Sequence, residues 1–104
     1  MRQLANPNNH VLTEAQAATF AGVLKALASP HRLRIVSLLA HAVGGMQQHE
    51  IVALMPIDQA TVSLHLRMLR WAELVERKTE GRYVRYRLVP GALDHVASFL
   101  AGGR

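Results

Sequence analysis

In the segment DQATVSLHLRMLRWAELV, Asp58 to Val75, the apolar side chains Val62, Leu66 and Leu69 recur at i, i+4 and i+7. That spacing is one stripe of a 3.6-residue helix. Gln59, Thr61, Ser63, His65, Arg67 and Arg70 fall between them. These are hydrogen-bonding groups and cations, the chemistry that meets base edges and phosphates. Asp58 stands where an N-cap belongs, ahead of the first periodic apolar residue. The pattern predicts a recognition helix, one face in a protein core and the other in a DNA major groove.

The remaining pattern supplies the scaffold. Residues 1–12, with Asn6, Pro7, Asn8 and Asn9, read as a flexible N-terminal arm. Thr13 and Gln16 form a capping box that opens a first helix, Glu14 to Ala28, rich in Ala and Leu. Its small residues Ala15, Ala18, Ala21 and Gly22 permit close approach of another helix, including a twin. Ser29 caps a second helix from Pro30 to about Val43, with Leu33, Val36, Leu39 and Ala40 expected inward and Arg32 and Arg34 outward. Gly44-Gly45 is expected to end it. A short third helix, about Gln47 to Met55, carries Ile51, Leu54 and Met55 on its inner side, and Pro56-Ile57-Asp58 turns the chain into the recognition helix. That is a helix-turn-helix.

Period-two alternation follows. Leu74 to Lys78 and Tyr83 to Leu88 read as strands joined across Thr79-Glu80-Gly81-Arg82, with Val84, Tyr86 and Leu88 on one face and Tyr83, Arg85 and Arg87 on the other. A last helix runs from Pro90 to about Leu100 with Leu93, Val96, Ala97 and Leu100 as its stripe, and 101–104 form a tail. The expected fold is mainly α with a small β-hairpin: one domain over residues 13–100, a winged helix-turn-helix of about five helices plus a two-stranded wing.

Composition narrows the function. The 104 residues carry a formal charge of +5 and a pI near 10.8, which favours polyanionic partners. With no cysteine, disulfides, thiolate metal sites and cysteine catalysis are excluded. The N-terminus lacks the apolar run of a signal peptide, and no stretch approaches a membrane span, so a cytoplasmic location is expected. Ser63 and His65, two residues apart on a helix, point to different sides and form no nucleophile–base pair. No paired carboxylates or glycine-rich phosphate loop support an enzyme.

Three runs carry a family resemblance: LKALASPHRLRIVSLL (Leu24 to Leu39), DQATVSLHLRMLRWAELV, and EGRYVRYRL (Glu80 to Leu88). In this order and spacing the chain resembles the arsenical-repressor-type (ArsR/SmtB) family of bacterial transcription regulators. The likeness spans roughly residues 13 to 100. It implies a homodimer through the first and last helices, binding an imperfect palindrome in double-stranded DNA and released by an effector. Glu73 departs from the pattern, since the family often has Gly in that turn. Gln59, Thr61, Ser63 and His65 match the family's base-and-backbone-reading positions, Arg67 and Arg70 are candidates for phosphates, and Arg82 and Arg85 would straddle the neighbouring minor groove or its phosphates.

The family commonly senses metals, and here its usual sites are incomplete. Gln47 and His49 stand where a cysteine pair would be, and Pro90 and Ala92 where an Asp-x-His would lie. His10, Asp94 and His95 remain as candidate ligands, with His49 as an outside one, and imidazole and carboxylate without sulfur suit Ni²⁺, Zn²⁺ or Co²⁺. His31 is expected to be structural and His41 exposed. The expectation is a dimeric DNA-binding repressor, responsive to nickel or zinc. The alternative is a winged-helix protein-interaction module, or a regulator that senses its signal through a partner protein.

Overall fold

The computed structural model describes residues 11–102. The element order is α1 (Glu14–Leu27), α2 (Pro30–Ala40), β1 (Met46–Gln47), α3 (Gln48–Leu54), α4 (Gln59–Trp71), β2 (Val75–Glu80), β3 (Tyr83–Leu88) and α5 (Ala92–Leu100). Helix starts follow local chemistry. Thr13 and Gln16 exchange bonds as a capping box, the Ser29 hydroxyl accepts from the N–H of Arg32, and Asp58 accepts from the N–H of Thr61 at 2.7 Å. Each satisfies N–H groups that a helix leaves unpaired at its first turn.

One core joins these elements. Ile35, Ile51, Val62, Leu66 and Leu69 are fully buried, with Val36, Leu39, Met55, Leu74, Val75 and Tyr86 around them. Three expectations for α2 change, the first being Ala40, expected inward, which is exposed at the helix's last position. Leu33 faces out and Ile35 faces in, because the inward stripe runs through Arg32, Ile35, Val36 and Leu39. Arg32 is accordingly not an outward cation: its Nε donates to the Ala26 carbonyl, one of the acceptors left open at the end of α1. Leu54, expected inside, is half-exposed on α3.

The wing is larger than a two-stranded hairpin. β1 pairs with β3 antiparallel, Met46 opposite Tyr86 and Gln47 opposite Arg85, giving a three-stranded sheet of order β1-β3-β2. Gly45 makes this possible. Its φ is +83°, and a Cβ there would lie 2.2 Å from the Tyr86 carbonyl oxygen. Glycine at 45 therefore serves the strand crossing, while α2 has already ended at Ala40. β2 and β3 pair from Val75↔Leu88 to Glu80↔Tyr83, which leaves a two-residue connection, Gly81-Arg82. Gly81 has φ +61°, as the first position of a tight hairpin turn requires.

α4 hands the chain to the wing through Glu73. The Leu74 N–H donates to the Leu69 carbonyl and the Glu73 N–H to the Arg70 carbonyl, the paired bonds of a Schellman helix end. Its hinge residue must be left-handed, and Glu73 has φ +59°, the one positive φ outside glycine among the described residues. The departure at Glu73 thus leaves the path into the hairpin intact and costs local strain. Glu73→Gly is expected to raise stability by about 1 kcal/mol, a Tm increase of roughly 4–8 °C for a domain of this size. Thermal unfolding followed by circular dichroism checks it, and an unchanged or lower Tm would contradict the strain.

Candidate nucleic-acid interface

The buried stripe of α4 fixes which of its residues face out. Each residue turns about 100° around the helix, so with Val62, Leu66 and Leu69 inward, Ala60, Leu64 and Arg67 point directly away from the core. Gln59, Ser63 and Arg70 lie on one flank of that outer face. Thr61 and His65, 200° from Gln59 and Ser63, lie on the other flank, beside α2. The sequence-derived reading set therefore divides: Gln59, Ser63, Arg67 and Arg70 are brought together, and Thr61 and His65 are not with them.

Several of these groups already have partners inside the chain. The Ser63 hydroxyl accepts from Gln48 Nε2 at 2.6 Å, and the Gln48 Oε1 accepts in turn from the Tyr86 hydroxyl at 3.4 Å. This chain of bonds ties α4 to α3 and β3. Thr61 is bonded to Asp58 through its side chain and its N–H, which holds the Asp58 carboxyl below its usual range. His65 Nδ1 lies 3.2 Å from the Arg32 guanidinium, which also donates to the Met68 sulfur. An arginine only donates, so Nδ1 must accept and the His65 ring must be neutral. Partial burial, then Arg32, then His31 lower its pKa, and the two histidine rings are 5.7 Å apart. His31 is half-buried beside His65, and His41, exposed, bonds the Ser37 carbonyl.

The wing sorts its cations the same way. Arg85 Nε bonds both Glu80 oxygens at 2.9 Å, and its NH1 donates to the Gly45 carbonyl. Gln47 adds a third bond to Glu80. The Arg85 and Gln47 bonds keep the Glu80 carboxyl below its ordinary range. Arg85 braces the three strands, and Arg87 pairs with Glu76. Arg82, at the exposed tip, forms no ion pair, nor do Arg67, Arg70, Arg77 and Lys78, among the described residues. A cleft of about 290 Å³ runs between the start of α4 and the wing, lined by Gln59, Gln48, His49, Val52, Arg82, Tyr83 and Val84. Gln48, His49 and Tyr83 were not singled out as DNA-facing in the sequence. Only the fold brings them to Gln59 and Arg82, with the His49 and Tyr83 rings 5.4 Å apart.

The candidate metal ligands lie elsewhere. His10 falls outside the described residues. Asp94 and His95 are neighbours on the exposed side of α5, where the His95 ring packs on Phe20 and Phe99 at 5.7 and 5.2 Å. Adjacent helical residues diverge by about 100°, and the described residues contain no group of three His, Asp or Glu placed to hold an ion. Asp94 and His95 alone do not make a site. No helix among the described residues is long and apolar enough to cross a membrane.

Comparison with known proteins places this geometry. The sequence model of bacterial regulatory proteins of the arsR family matches residues 29–77. A solution structure from Mycobacterium bovis is described as a homodimeric winged helix-turn-helix DNA-binding domain of a possible ArsR-family transcriptional regulator. It is 30% identical, with a TM-score of 0.67, covering 86% of this chain and 82% of that one. The chain belongs to the ArsR family. An ArsR-like transcriptional regulator from Rhodococcus sp. RHA1 is similar too, at 28% identity and a TM-score of 0.75 over 84% of this chain and 80% of that one. The HTH-type transcriptional repressor SmtB of Mycobacterium tuberculosis is 38% identical over 74 residues, 71% of this chain and 53% of that protein. The chain thus spans about half the length of this curated relative. The fold is that of a winged helix-turn-helix, the relatives are described as transcriptional regulators and SmtB as a repressor, and the family is non-enzymatic.

The neutral His65 gives this ArsR-family domain a pH signature. Its pKa is lowered on folding, so the unfolded chain binds the proton more readily below about pH 6.5. Stability present above that pH is lost as pH falls toward the folded value. The urea midpoint of the parent chain is expected to drop more steeply between about pH 7.5 and 5.5 than that of His65→Gln. Parallel profiles would dissociate His65 from any acid sensitivity.

Proposed function

We propose that the chain is a DNA-binding transcriptional repressor that acts as a homodimer on a palindromic operator. The observation that carries this reading is the cleft joining Gln59 at the start of α4 to Arg82 at the wing tip, with the unpaired cations Arg67 and Arg70 on the outward side of the same helix. Free guanidinium groups along a helix and a wing suit the two phosphate strands that border a major groove. The paired Arg85 supports the wing and leaves Arg82 to reach the DNA. Dimerisation through α1 and α5 would present two copies of α4 about one DNA turn apart. Leu24 on α1 and Leu100 on α5 are exposed apolar side chains on these helices.

Salt dependence tests the proposal. In an anisotropy titration of a labelled promoter duplex, log affinity should fall linearly with log salt. Arg67→Ala and Arg82→Ala should each weaken binding and flatten the slope by about one, with unchanged melting. Arg85→Ala should instead lower the melting temperature, since it unties Glu80 and Gly45 together. Binding without salt dependence, indifferent to Arg67 and Arg82, would support the protein-interaction alternative.

The effector reading is narrower. A nickel- or zinc-responsive repressor would have to add His10, or donors of a second copy, to Asp94 and His95. Under that reading Ni²⁺ or Zn²⁺ shifts DNA affinity about tenfold, and His10→Ala or His95→Ala abolishes the shift. Affinity that ignores both ions would direct the search to a small molecule or a partner protein.

A further inference from the structure

Within the proposed DNA-binding function, on which this inference rests, we infer that Leu64 is a specificity-determining residue that reads the C5-methyl group of a thymine in the major groove. Leu64 sits at the middle of α4 on the face opposite the core stripe, with 49% of its surface exposed. Ala60 and Arg67, one turn to either side, are exposed on the same face. Of the side chains around it on α4, Ser63 is engaged with Gln48 and His65 with Arg32, Asp58 accepts from the Thr61 N–H, and Arg67 has no ion pair among the described residues. Among the described residues, the Gln59 side chain in the first turn has no hydrogen-bond partner. The middle of the helix therefore offers the groove an aliphatic side chain beside a guanidinium.

The chemistry of the groove then selects the ligand. Base edges there present hydrogen-bond donors and acceptors, and the largest apolar group among them is the C5-methyl of thymine. A leucine pressed on a donor or acceptor strips it of water without replacing the bond, which is unfavourable. Pressed on a thymine methyl, it buries apolar surface on both sides. The neighbouring cations bring phosphates to the same helix face, so DNA is the occupant that the surrounding charge favours. Leu64 thus discriminates by what it tolerates as well as by what it attracts.

The test uses the full chain and a duplex that it selects from a randomised pool. Each thymine of that duplex is replaced singly by deoxyuridine, which deletes only the methyl group, and affinity is read by anisotropy. At one or more positions in each half-site the replacement should weaken binding about three- to fivefold, what burial of one methyl group is worth. Leu64→Ala should bind the thymine and deoxyuridine duplexes alike. The position is half-exposed and alanine is a strong helix former, so this variant should melt as the parent does. Leu64→Gln gives a second readout: pools selected by it should exchange that thymine for adenine, the base a glutamine reads. Indifference of the parent chain to every deoxyuridine, or equal sensitivity in Leu64→Ala, would overturn the inference and leave DNA binding standing. Failure to retain any duplex in a salt-dependent manner would overturn both.

Discussion

Val62, Leu66 and Leu69 hold α4 against α2, α3 and the sheet with no exposed surface among them, and that burial fixes the rotation of the helix. Each such side chain contributes about 1.5–3 kcal/mol on leaving water. Turning α4 by a single residue would swing the stripe through about 100° and expose it. The outer face is therefore not free to vary: once the stripe is seated, Ala60, Leu64 and Arg67 must point away and Gln59 must stand beside the wing. The same constraint sets the end of the helix. Leu74, buried next to the stripe, can follow Leu69 directly only if the chain reverses in between, and Glu73 takes the left-handed conformation that this reversal needs. A favourable core position for Leu74 offsets an unfavourable backbone at its neighbour.

Much of this was legible in the sequence because it depends on local spacing. The i, i+4, i+7 stripe of α4, the Thr13 capping box, the Ser29-Pro30 start of α2 and the alternation of β3 are patterns that a few adjacent residues encode and that the fold keeps. What was not legible depends on residues far apart in the chain. The two-residue strand β1 exists only because β3 passes beside Gly45, forty residues before Arg85 donates to its carbonyl. Arg32 looked like a surface cation until α1 ended within its reach. Leu33 matched the apolar period as well as Ile35 did, and only the position of the neighbouring helices decided between them. The candidate interface divides along the same line. Its cations and its helix could be named in advance, whereas the internal bonds of Ser63, His65 and Arg85 required the packed structure.

Those internal bonds change what net charge means here. A formal +5 describes a cloud, and the fold turns part of it inward or cancels it. Arg32 is spent on a carbonyl, a sulfur and a histidine, while Arg85 and Arg87 are matched to Glu80 and Glu76. Among the described residues, Arg67 and Arg70 on α4 and Arg77, Lys78 and Arg82 on the wing remain without an ion pair. A phosphate contact from such a group costs no existing ion pair, whereas recruiting Arg85 would break its bifurcated bond to Glu80 and a carbonyl bond at once. The split between Arg82 and Arg85 therefore follows from competition for partners and not from their distance along the hairpin.

The same reasoning governs base recognition. A hydrogen-bonding side chain can read a base only if it can leave its present partner or serve both, and for Ser63 and His65 that partner, Gln48 on α3 and Arg32 on α2, is part of what holds α4 in register with those helices. Releasing the neutral His65 from Arg32 would leave a half-buried guanidinium short of an acceptor, a penalty set against whatever the base returns. Leu64 has no such obligation. It reaches the groove at no cost to the fold, and the only gain open to it there is contact with another apolar group. An aliphatic residue at the centre of a recognition helix is on this account a consequence of how thoroughly its polar neighbours are used to build the helix's own support.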